Sequence, residues 1–180
     1  MLSSRPPNSC IAGTYNPTQG ASECQDCSSG SFSDDGASTC DDCLPGRFSG
    51  DDGASECSPC EVGSYAGPGA SSCTPCLAGY FAASQASITC DPCPKGHYSP
   101  TQGESQCTEC IAGTYGAIVA ASECSDCSPG KYSEAAATSC VSCPSGTFSD
   151  SSGASDCTNC TAGSYSVEDS SSCLPCPAGG

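Results

Sequence analysis

Cysteine returns in this chain at a fixed interval, and that interval decides what the chain can fold into. Ten C-x-x-C pairs begin at Cys24, Cys40, Cys57, Cys73, Cys90, Cys107, Cys124, Cys140, Cys157 and Cys173, one every 16 or 17 residues, and a single Cys10 precedes them. Counted from Cys10 and then from the second cysteine of each pair, the third residue on is always glycine, from Gly13 to Gly163. The fifth is always aromatic: Tyr15, Phe32, Phe48, Tyr65, Phe81, Tyr98, Tyr115, Tyr132, Phe148 and Tyr165. Tyr80 is the one aromatic residue outside that slot. Self-similarity at so short a period marks one small unit written ten times, not a globular domain built round a site.

Such a unit has to be held by something other than an aliphatic core. Leu, Ile and Val number twelve in 180 residues, too few to offset backbone ordering at about 1–2 kcal/mol per residue. The 21 cysteines put the chain in the range of secreted disulfide scaffolds. Such bonds persist in oxidising compartments and rarely in a cytosol. An extracellular or cell-surface location is therefore expected. Met1–Ser9 lacks the apolar stretch of a signal peptide, so an export signal is expected to lie outside these 180 residues or to have been removed. No run reaches the roughly 20 apolar residues of a membrane span.

The net charge of −16, with only Arg5, Arg47, Lys95 and Lys131 as cations, argues against nucleic acid as a partner, because nucleic-acid binding starts from a basic footprint. It suits solubility or a basic partner. The pairs Asp34/Asp35, Asp41/Asp42 and Asp51/Asp52 offer the oxygen ligands that Ca²⁺ prefers, but they match no calcium-loop pattern. At most a loose Ca²⁺ association is expected, with no cofactor.

Frequent Gly and Pro and the lack of a 3.6-residue period argue against helix. Each unit reads as a short strand at the aromatic, a Gly/Asp/Ser-rich turn, and a short return strand into the next cysteine. A second glycine stands four residues before the C-x-x-C in six units, at Gly20, Gly36, Gly53, Gly69, Gly103 and Gly153; Ala86, Ala120, Ala136 and Asp169 replace it elsewhere. A slot that accepts alanine is expected to favour positive φ without strictly requiring it, whereas the unvarying first glycine is the better candidate for a special backbone angle or for close packing on a disulfide.

The cysteines admit three schemes. In the expected one, the second cysteine of each pair closes onto the first of the next: Cys10–Cys24, Cys27–Cys40, Cys43–Cys57, Cys60–Cys73, Cys76–Cys90, Cys93–Cys107, Cys110–Cys124, Cys127–Cys140, Cys143–Cys157 and Cys160–Cys173. This uses twenty cysteines, gives Cys10 a role, and leaves only Cys176 unpaired in this chain. Each loop of about 14 residues would contribute roughly 3 kcal/mol in the chain-entropy picture. In the second scheme each C-x-x-C closes on itself, as in redox sites; here a βαβ context is lacking and Cys10 would be orphaned. The third is tetrathiolate zinc, against which stand the even spacing and the single His97. Spacing alone leaves the connectivity open.

The phrases Cys10-Ile-Ala-Gly-Thr-Tyr15, Cys110-Ile-Ala-Gly-Thr-Tyr115 and Gly20-Ala-Ser-Glu-Cys24 resemble ephrin-receptor-like cysteine-rich repeats, and also the one-disulfide modules that open tumour-necrosis-factor-receptor cysteine-rich domains. The resemblance covers Cys10 to Gly179. In the receptor module the first cysteine bonds to the one closing the aromatic-containing loop, which implies the first scheme here. The chain lacks the receptors' interlocked two-disulfide modules. Long, nearly pure arrays of this kind look like those of protist surface proteins, including flagellar-hair (mastigoneme) components, and imply an extracellular structural setting.

Catalytic patterns are lacking. His97 would have to carry any Ser-His-Asp or Cys-His site alone, and it reads as an exposed polar residue. The carboxylates lie in turns without a dry cleft. The aromatic column reads as a packing spine, with one ring over each disulfide. Asn159-Cys160-Thr161 is a formal sequon around a cysteine expected to be bonded, and the Ser/Thr-rich turns admit O-linked glycans. The expected fold is an all-β, disulfide-rich linear solenoid of ten tandem β-hairpin modules without a conventional hydrophobic core. Residues 1–9 lead in, 10–176 form the repeats, and 177–180 begin a truncated eleventh. Each module is expected to touch mainly its neighbours. The expected function is a spacer or filament-forming subunit that partners copies of itself or other extracellular structural proteins; a receptor or adhesion ectodomain is the alternative, and an enzyme is not expected.

Overall fold

The computed structural model describes residues 10–18 and 23–177. The lead-in 1–9, Gly20 and the residues from 178 on lie outside them. The described residues contain no helix; they form twenty strands of two residues each, from Thr14–Tyr15 to Leu174–Pro175, and every sheet has two strands. The chain is thus all-β, disulfide-rich and repeated, each module a hairpin closed by its own disulfide. Each module is named by its opening cysteine.

The aromatic and the residue before it form the outgoing strand, as in Thr14–Tyr15. The return strand lies inside the C-x-x-C, not ahead of it: Gln25–Asp26 sits between Cys24 and Cys27, and Thr14 pairs with Asp26, Tyr15 with Gln25. The Cys27 N–H then donates to the Gly13 carbonyl at 2.9 Å, which prolongs the hairpin to the next module's first residue. The same geometry explains why proline is admitted as the second return residue, at Pro59, Pro75 and Pro175. With two strands only, one side of each strand is an edge, where proline's missing donor costs nothing.

The residues form two compact units. One comprises the described residues through Cys76 with Ala82–Asp91 and Gly103–Ser105, the other Leu77–Phe81, Pro92–Gln102 and the described residues from Gln106 on. In each unit, modules join through the same three backbone hydrogen bonds. In the first, Gly13 N–H donates to the Ser33 carbonyl (2.8 Å), Asn16 N–H to Ala37 (3.1 Å), and Gly36 N–H back to Cys10 (2.8 Å). In the second, Gly113 donates to Ser133, Gly116 to Ala137 and Ala136 back to Cys110, at 2.8–3.0 Å. Main-chain groups that a two-stranded hairpin leaves unpaired are thereby satisfied by the next module.

The interior is sulfur, glycine and small polar groups. The opening cysteines Cys10 to Cys143 are 0–2 % exposed, and Ser33, Ser99 and Ser133 are buried beside Ala66, Ala82 and Ala121. The aliphatic residues Ile11, Leu44, Leu77, Ile111 and Val141 are all exposed. The aromatic column is not a buried spine: most of its rings are half-buried, and Tyr165 is exposed. An aromatic side chain is too large to be enclosed in an interior in which backbones approach this closely.

Candidate functional site

The recurrent element is the interface between modules, and it rests on two left-handed bends. The first glycine of every module has φ between +80° and +91°. The turn slot before the closing cysteine has φ between +56° and +81° wherever it is described, including Ala86, Ala120, Ala136 and Asp169. The slot takes positive φ in every module where it is described, and alanine occupies it at a strain of about 1–2 kcal/mol. The turn slot's N–H carries the bond back to the preceding module's opening cysteine, as in Ala86 N–H to the Cys60 carbonyl at 2.8 Å. That bond is what holds a residue with a Cβ in the unfavoured region.

The first glycine differs in what surrounds it. A Cβ on Gly13 would fall on the carbonyl oxygen of Gly53, one on Gly46 on that of Ala86, and one on Gly63 on that of Gly103. In the second unit Gly79 meets Ala120, Gly96 meets Ala136 and Gly113 meets Gly153 in the same way. The partner lies two modules on, so a module touches its next-but-one neighbour as well as its neighbour. The first glycine takes the special backbone angle expected of it, and its close packing is on a backbone carbonyl two modules on. The sequence does carry a trace of a two-module period. In the first eight modules the residue after the opening cysteine alternates, Ile11, Leu44, Leu77 and Ile111 with Ser28, Glu61, Pro94 and Ser128 between them, and the alternation stops at Pro144 and Thr161.

Buried hydroxyls add side-chain bonds to this frame. Ser33 Oγ donates to the Thr14 carbonyl (3.1 Å), Ser133 Oγ to Thr114 (2.9 Å) and Ser166 Oγ to Thr147 (2.7 Å), each reaching the preceding module. Ser49 and Ser149 donate within their own turns, to Asp51 and Ser151. Among the described residues, every buried side-chain nitrogen or oxygen has a partner, as a small polar interior requires.

The disulfides present are Cys10–Cys24, Cys27–Cys40, Cys43–Cys57, Cys60–Cys73, Cys76–Cys90, Cys93–Cys107, Cys110–Cys124, Cys127–Cys140, Cys143–Cys157 and Cys160–Cys173. Cys176 is free and exposed. The acidic pairs do not converge, and the described residues hold no group of three or more His, Cys, Asp or Glu placed for a metal. Two of them act locally instead: Asp35 accepts from the Ala12 N–H at 2.9 Å and Asp52 from the Ser29 N–H at 2.8 Å, each across to the preceding module. His97 is half-buried, not freely exposed; it faces Glu109 across its hairpin, Nε2 to Oε1 3.8 Å. Lys131 Nζ reaches Asp169 Oδ1 at 2.9 Å, an ion pair between the Cys127 and Cys160 modules. The lysine's hydrogen bond holds the Asp169 carboxyl below the usual carboxylate range.

A family model described as tyrosine-protein kinase ephrin type A/B receptor-like matches residues 79–127 and 130–171, together just over half of the chain. No curated protein matches the chain.

Proposed function

Because the chain belongs to the family described as tyrosine-protein kinase ephrin type A/B receptor-like, we propose that it is part of an extracellular structural protein. Residues 10–176 form one array of ten modules, a stiff spacer or the subunit of a surface fibre, with copies of itself or other extracellular structural proteins as partners and O-linked glycans on its Ser/Thr-rich turns. Ephrin-receptor-like cysteine-rich repeats and many disulfides suit an extracellular domain. The observation that supports a structural role is that modules join through backbone groups, repeated with little regard to side chain. An interface of that kind multiplies one contact along a chain; it does not build a distinct pocket.

The family's receptor-like description favours a second reading, a receptor or adhesion ectodomain that binds a protein ligand. Electron microscopy of the purified, oxidised chain together with a ligand screen separates the two. Regular fibres or uniform straight particles support the structural reading. Dispersed particles that bind one protein tightly overturn it in favour of the ectodomain.

A further inference from the structure

The covalent path through this chain is far shorter than the chain. In each module the two bonded cysteines stand 13 or 14 residues apart in sequence but 5.7–5.8 Å apart between Cα atoms. Successive modules are joined by the C-x-x-C alone, three peptide steps. We propose that the array is a tether of fixed maximum length, in which tension applied at its ends runs from disulfide to C-x-x-C link to disulfide and never enters the hairpin loops. The proposal rests on the structural reading above and extends it from shape to load.

The ceiling follows from bond geometry. A disulfide crossing contributes about 6 Å and a three-residue link at most about 11 Å. From Cys10 to Cys173 the extended length is then about 160 Å, against roughly 560 Å for the same residues with every disulfide open. The module is divided accordingly. The first glycine, the aromatic strand and the turn slot all lie between the bonded cysteines, off the load path, as Gly30, Phe32 and Gly36 do between Cys27 and Cys40. These are the groups that join module to module. Pulling separates modules from one another but cannot unravel the loops that rejoin them, so each loop keeps a closed ring in which to re-form its bends. Closure within each C-x-x-C would do the reverse and put every loop in the load path.

A dithiol reductant removes the ceiling one module at a time. It breaks the protein S–S bond in a two-electron exchange, each protein sulfur leaves as a thiol with one of the reductant's protons, and the reductant closes to its own cyclic disulfide. Each opened bond lengthens the path by about 40 Å.

The test is single-molecule force extension of the full chain, held by tags at both ends. Under oxidising conditions the Cys10–Cys173 stretch is expected to reach about 160 Å at high force and no more. Dithiothreitol is expected to add up to ten steps of about 40 Å. The double substitution Cys93→Ser with Cys107→Ser adds one such length to the oxidised chain; the readout is covalent and survives even if that module fails to fold. An oxidised chain that stretches to several hundred Å overturns the proposal. A chain that keeps the ceiling yet forms no fibre leaves the tether intact and removes only the filament.

Discussion

Each module bends twice through left-handed backbone, and only one of the two bends is glycine without exception. At the turn slot, alanine stands at Ala86, Ala120 and Ala136 and aspartate at Asp169, with φ between +56° and +65°. At the first slot, all ten described residues are glycine. Backbone angle alone does not separate them, because both are left-handed. Crowding does: a Cβ on Gly103 would meet nothing nearer than the Pro75 Cβ at 3.9 Å, whereas one on Gly63 would overlap the Gly103 carbonyl oxygen. At eight of the ten first glycines a backbone carbonyl two modules on fills the place of a Cβ, while Gly146 and Gly163 have open space there and share only the left-handed angle.

A Cβ placed in a crowded first slot and in an open one separates overlap from backbone strain. Gly63→Ala is expected to weaken its module by roughly 3 kcal/mol or more, from strain and overlap together. At Gly163 a Cβ has open space, so Gly163→Ala is expected to cost only about 1 kcal/mol, the strain less the entropy removed from the unfolded chain. Hydrogen exchange of amides in each module reads the two values separately; equal values would mean that the next-but-one contact carries no energy. At the turn slot the sign reverses. Ala86→Gly relieves left-handed strain and is expected to stabilise by about 0.5–1 kcal/mol, and a loss of protection there would contradict the bend assigned to it.

The smallest effect concerns the Lys131–Asp169 ion pair, which links a module to its next-but-one neighbour. The Asp169 carboxyl, held below its ordinary range first by the Lys131 hydrogen bond, favours the folded state above the unfolded carboxylate pKa near 3.9. That contribution is lost as pH falls through the lower folded value. An NMR titration of Asp169 should therefore move up on Lys131→Met, with little change in stability at neutral pH because the pair is exposed.

The cysteine interval made the hairpin module, the absence of helix and the family legible, because a covalent and steric pattern repeats ten times over. What it left illegible has physical reasons. The return strand falls on variable residues such as Gln25–Asp26 and Ser58–Pro59, which carry no strand propensity and are strands only because the disulfide holds them beside the aromatic. That Ala86 takes positive φ rests on the bond from its N–H to the Cys60 carbonyl, which cannot be read locally. The contact from Gly63 to Gly103 spans 40 residues with no side chain to announce it. The aromatic spine was misplaced because a large ring suggests burial, while the interior has room only for sulfur, glycine, alanine and serine.

All of this depends on each module being closed by its own disulfide, and a non-reducing peptide map tests that most directly. A protease that cuts at acidic residues cleaves inside the C-x-x-C links at Asp26, Asp41, Asp42, Asp91, Glu109 and Asp126, which separates the two sulfurs of each such link. The expected map holds Cys27 joined to Cys40 and Cys93 joined to Cys107, in fragments that fall apart only on reduction. Fragments with Cys40 joined to Cys43, or free thiols throughout, would contradict it.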